Sequence, residues 1–212
     1  MKGQSLVLAF VGLVSALFCA QSVEAQTNVV INEINLVTGP NYGQFVELYG
    51  EPNTELAGMS LVILKSNQVS GQWTALVQSV VGLDTLSLND EGFLAIDGSG
   101  WQNTVASVVL TESPVESFEV NQPPVFSDIL DGVLYGTIGV SHPQMQPLVA
   151  TLMPSDSVTI TEATSPAAGP DGLSRVPDGG QGLDQSFVMQ ALSPGTTNVL
   201  PCEGGDLSLI HI

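Results

Sequence analysis

At 212 residues with a formal net charge of −18, the chain excludes nucleic-acid recognition through a basic patch and attraction to an anionic membrane. Its carboxylates are spread singly, not in blocks, and 43% of residues are hydrophobic, so it can bury a core where an acidic disordered tail cannot. The length suits one large domain or two small ones.

Residues 1–25 read as a secretory signal peptide: Lys2 is the positive start, Leu6 to Ala20 the apolar run, and Val23-Glu24-Ala25 a small-residue cleavage signal. Gln21, Ser22 and Glu24 follow that run with no Lys or Arg, so neither a stop-transfer flank nor a membrane span is expected. Bulky Phe18 argues against lipidation at Cys19. Beyond residue 25 only Lys65 and Arg175 are basic, and Cys202 is the one remaining cysteine, which leaves no disulfide framework and no cysteine-based metal site.

Short segments rich in Val, Ile, Leu, Phe and Tyr then alternate with Gly, Pro, Asn and Asp clusters, the pattern of an all-β sandwich. The expected strands are Val29 to Ile34, Gln44 to Tyr49, Ser60 to Leu64, Trp73 to Val80, Gly92 to Ile96, Val105 to Leu110, Gly132 to Ile138, Ser157 to Thr161 and Ser186 to Met189. No window holds a helical apolar repeat for three turns, which sets helix content below about a tenth. Thr111 to Asp128, with Pro114, Pro123 and Pro124, and residues 164–185 are expected to be long loops. No composition change divides the chain, and one domain over residues 29–200 is expected. Residues 201–206 begin a further region. Leu207 to Ile212 is what a transposase adapter sequence encodes, so 207–212 is read as an artefact and the natural chain is expected to continue past Asp206.

Five blocks in order carry a family likeness. Val30-Ile-Asn-Glu-Ile34, Gln44-Phe-Val-Glu-Leu-Tyr49, Leu56-Ala-Gly-Met-Ser-Leu61, Gly172-Leu-Ser-Arg-Val-Pro-Asp178 and Ser193-Pro-Gly-Thr-Thr-Asn198 resemble the successive motifs of the lamin-tail domain, secreted type. Met59 stands where that family usually has an aromatic residue, and Gly50 where it often has Asn. The resemblance implies an immunoglobulin-like β-sandwich with long loops. It also implies an extracellular tethering or scaffolding role, alone or beside a nuclease or phosphoesterase domain. The nuclear role of lamins does not carry over, given the leader and the charge.

Glu33 and Glu47 lie within apolar strand segments and Arg175 is the sole arginine, so a buried structural ion cluster of Glu33, Glu47 and Arg175 is expected in preference to an acid and base pair. Asp90, Glu91, Asp97, Asp128 and Asp131 are read as loop carboxylates and as candidate ligands for calcium, though none fits the twelve-residue calcium loop. Catalytic signatures are lacking, and His142, in Ser-His-Pro, is read as a solvated loop histidine. Among the aromatics Trp73, Trp101, Tyr42, Tyr49 and Tyr135, Trp101 is the expected exposed candidate for stacking on a carbohydrate.

The expected function is a secreted, non-catalytic binding or scaffolding module. Its partner would be an extracellular protein, a polysaccharide or a mineral surface. The alternatives are an accessory domain of a truncated secreted nuclease or phosphoesterase, and an acidic calcium-binding matrix protein.

Overall fold

The computed structural model describes residues 28–36, 43–101, 105–136, 142–152, 158–160, 171–180 and 187–198. The leader, Tyr42 and Cys202 lie outside them. Among the described residues ten strands form two five-stranded sheets. In the first, β10 (Phe187–Ala191), β9 (Asp171–Arg175), β1 (Val30–Asn35), β2 (Gln44–Tyr49) and β5 (Phe93–Gly98) lie side by side in that order, all antiparallel. In the second the order is β4 (Gln72–Gly82), β3 (Ser60–Val69), β6 (Val105–Thr111), β7 (Ile129–Gly136) and β8 (Val158–Ile160), with only β7 and β8 parallel. The described residues are thus an all-β sandwich.

The main core lies between the sheets. Ile31, Ile34, Val46, Leu48 and Leu173 from the first meet Leu61, Ile63, Val108, Leu110 and Val133 from the second. Along these strands inward apolar residues alternate with outward ones, which in the first sheet include the polar Glu33 and Glu47. The second sheet behaves differently. Val62, Leu64, Val77, Val109 and Leu134 on its far side form another core with Met145, Leu148 and Leu152. Burial on both faces explains why Val105–Thr111 reads as a continuous run, every residue buried.

That second core is closed by two pieces. One is α1 (Gln146–Leu152), a helix not expected from the sequence; at 7 residues it is too short to show a three-turn repeat, and it forms because Leu148 and Leu152, one turn apart, reach the sheet. The other is the loop 112–128, which carries a 3₁₀ turn at Val115–Ser117 and a Phe118–Phe126 ring pair. This loop also covers the edge of β4: Val77 N–H donates to Gln122 O at 2.9 Å and Asn121 N–H to Val77 O at 2.8 Å. Lys65 Nζ donates to Asn121 Oδ1 and ties the loop to β3.

Two expectations are corrected. The stretch 164–185 is not loop throughout, because Asp171–Arg175 is a strand, paired on both sides by β1 and β10. Its Gly and Ser content hides it, and the pairing of neighbours supplies what its own propensity lacks. Trp101 is not exposed: it retains 6% of its surface and belongs to the main core. Its indole lies over Gly98, where an added Cβ would sit 2.4 Å from the ring, and its N–H and C=O are both bonded by the buried Gln44 side chain. Trp73 and Tyr49 are half-buried and Tyr135 is buried.

Gly98→Ala is therefore expected to displace the indole and to destabilise the fold by about 1–3 kcal/mol. In a Trp73→Phe background, tryptophan emission should shift to the red; unshifted emission would mean that the ring is not seated on Gly98.

Candidate functional site: a carboxylate face under a polar strap

Strand β1 sets the site. Ile31 pairs with Leu48 and Glu33 with Glu47, so two steps on β1 oppose one on β2 and Asn32 is the extra residue of a bulge. The bulge turns both Asn32 and Glu33 to the outer face of the first sheet, where Glu47 already points. Both glutamates are fully buried and directly opposite in register. Like charges so placed repel, and each must find donors.

The donors come from β9 and from the segment after β10. Ser174 Oγ donates to Glu33 Oε1 at 2.6 Å, and Ser193 N–H donates to both Glu33 oxygens. Asn32 Nδ2 donates to Glu47 Oε1 at 3.1 Å, and Gly195 N–H donates to Glu47 Oε2. Asp178 accepts from Asn32 Nδ2 and from Asn198 N–H, while Gly179 N–H donates back to Asn32 Oδ1. Residues 193–198 thus strap across the face and cap three carboxylates with main-chain N–H groups. A turn shapes the strap: Gly195 has φ +79°, and Thr196 N–H closes onto Ser193 O.

Burial pushes the Glu33 carboxyl above its ordinary value, with Ser174 and Ser193 opposing. Burial likewise pushes Glu47 up to about 7, reinforced by the charges of Glu33 and Asp178 and opposed by Gly195 and Asn32.

Arg175 is not part of this face. On β9 alternate side chains leave opposite sides, so Ser174 reaches Glu33 while Arg175 points between the sheets. There its Nη2 pairs with Asp131 Oδ2 on β7 at 2.8 Å, its Nε donates to Ile31 O, its Nη1 to Gly180 O, and its guanidinium stacks 4.5 Å from the Phe187 ring centroid. Asp131 also accepts from Ile31 N–H and Gly132 N–H. Burial raises the Asp131 carboxyl and lowers the Arg175 guanidinium, and the attraction between them opposes both. The expected cluster of Glu33, Glu47 and Arg175 is split in two, with Asp131 as the salt-bridge partner.

The calcium candidates are not brought together. Asp90 and Glu91 sit in the turn before β5, Asp97 is exposed on β5, and Asp128 is exposed ahead of β7. Asp131 is a buried strand residue, not a loop carboxylate. Among the described residues no three His, Cys, Asp or Glu side chains converge as metal ligands. His142 is exposed, its Nδ1 accepting from Gln144 N–H. No helix of the described residues is long and apolar enough to cross a membrane.

Sequence reasoning missed Asn32, Ser174, Asp178, Ser193 and Asn198 as members of one network. The signal was available as polar residues embedded in apolar strand segments. Compared with known proteins, the chain matches no family model, no curated protein and no solved structure.

Two outcomes are expected. Asp131→Ala strands a buried guanidinium and should cost about 3–5 kcal/mol in urea unfolding, recovered only in part by an Asp131→Leu/Arg175→Met pair, which removes the buried charge but leaves the Ile31 N–H and C=O without these partners. For Glu47, the native form holds a proton that the unfolded form releases near pH 4.5. The stabilising contribution is therefore whole below that pH and lost as pH rises towards 7, by roughly 3 kcal/mol at most. Urea midpoints between pH 5 and 8 should show this fall in the wild type and a flattened profile in Glu47→Gln.

Proposed function

We propose that the chain is a secreted, non-catalytic binding and scaffolding module of lamin-tail type with an immunoglobulin-like sandwich. The observation that carries this reading is convergence. Residues of four of the five motif blocks, separated by up to 160 positions, hydrogen-bond to one another: Asn32 and Glu33, Glu47, Ser174 and Asp178, and Ser193, Gly195 and Asn198. Motif residues drawn into one buried network are what a shared fold requires. In the remaining block, Leu56 to Leu61, Gly58 takes φ +80° and Met59 enters the core.

The chemistry of the face agrees with a structural use of these carboxylates. Each is consumed by donors from its own chain, so the reading assigns them to holding the strap and assigns binding to the acidic exterior. A chain of formal net charge −18 favours a cationic partner, and calcium enters as a diffuse counter-ion, since the described carboxylates form no chelating set.

Residues 26–206 fused to a secreted reporter should be retained on extracellular matrix or envelope polysaccharide above the reporter alone. Retention should fall at high salt, where the field is screened. Retention no greater than that of the reporter, or hydrolysis of a phosphoester by the fusion, would overturn the reading.

A further inference from the structure

We propose that residues Ser193–Asn198 are a proton-controlled latch, closed while the Glu33–Glu47 pair retains a proton and opened by its loss, which uncovers the carboxylate face. The strap has little apolar purchase on the sheet. Pro194, Thr196 and Thr197 are exposed, and Ser193 and Gly195 are half-buried. Polar bonds hold it: Ser193 N–H to Glu33, Gly195 N–H to Glu47, Asn198 N–H to Asp178, and Ser193 Oγ to Asn198 Oδ1 at 2.7 Å. A segment with few apolar contacts opens locally far more readily than the core around it.

Closure also carries a standing cost. Gln190 Oε1 on β10 and Asn198 Nδ2 in the strap are buried without partners among the described residues, and both regain water when the strap lifts. One end is anchored and the turn lies within the strap. Leu192 packs onto Gly172, where a Cβ would sit 2.3 Å from its Cδ2, and Gly195 supplies the left-handed turn.

Charge decides the direction. From β1 the group facing Glu47 is Glu33, from the turn after β9 it is Asp178, and from β5 the residue opposite is uncharged Ala95. Arg175, the nearby cation, points to the other side of the sheet and is engaged by Asp131. Ionising Glu47 therefore places a further negative charge in a dry site beside Glu33 and Asp178, and hydration on opening relieves it. With the closed-state carboxyl pushed up to about 7 and the ordinary 4.5 as the floor for its open-state value, the opening constant rises with pH between 5.5 and 8, by at most about 30-fold, and levels off above.

The test is hydrogen exchange by NMR on the full chain, at pH 5.5 to 8 and in low urea, with each rate divided by its intrinsic value. The amides of Ser193, Gly195 and Asn198 should lose protection across that range, by up to about 30-fold. They should do so with no urea dependence, while β3 amides such as Val62 remain more protected and respond to urea, as global unfolding does. Glu47→Gln should flatten the strap profile. Strap amides that share the protection and urea response of β3 would overturn the latch, because they would open only with the whole fold. So would corrected rates that do not change with pH. The wild-type series decides the matter even where Glu47→Gln fails to fold.

Discussion

The pairing of Arg175 with Asp131 is the contact on which the arrangement of the two sheets turns. One guanidinium reaches the β7 carboxylate, the β1 carbonyl of Ile31 and the carbonyl of Gly180, so a single side chain fixes two sheets and a turn. The Asp131 carboxylate answers by taking the Ile31 N–H. Backbone pairing of β9 with β1 ends at Glu33 and Ser174, and these side-chain bonds satisfy both main-chain groups of Ile31 where the strand partner stops. A buried ion pair is seldom a net gain over apolar packing. Its value here is positional: no apolar pair would satisfy the main-chain groups that β9 leaves open.

The bulge in β1 has the complementary effect on the other side of the sheet. By turning Asn32 and Glu33 outward together, it gathers a carboxylate face that the strap covers and caps with main-chain N–H groups. The two polar systems lie back to back across one sheet, one a buried ion pair, the other a pair of carboxyls raised by burial. The first fixes the register of the sandwich, and the second leaves a proton-dependent residue of instability at its surface.

Much of the fold was legible. The strand Gln44–Tyr49 has its expected limits, because a one-sided apolar pattern ends at Gly50. The strands β3 and β4 run further than their apolar residues suggest, through Lys65 to Val69 and back from Gln72, since a tight hairpin at Ser70 and Gly71 extends pairing beyond the core. The burial of Glu33, Glu47 and Arg175 could be read from their settings. Which of them touch could not, for that depends on the parity of β9, a strand whose Asp-Gly-Leu-Ser-Arg sequence resembles a turn. Trp101 misled for a related reason: flanking Gly100 suggested an exposed loop tip, while the space that seats the indole is made by Gly98, and the Gln44 amide that pins its backbone is far away in sequence.

Of the two basic residues beyond position 25, Arg175 is enclosed between the sheets and half-buried Lys65 donates to the Asn121 side chain. The outward charge therefore has essentially one sign, and two copies meet as like-charged colloids. Packed at high density, such a protein draws in counter-ions and, with them, water. The osmotic swelling that follows is a property of the whole layer, set by how few cations the fold leaves on its exterior.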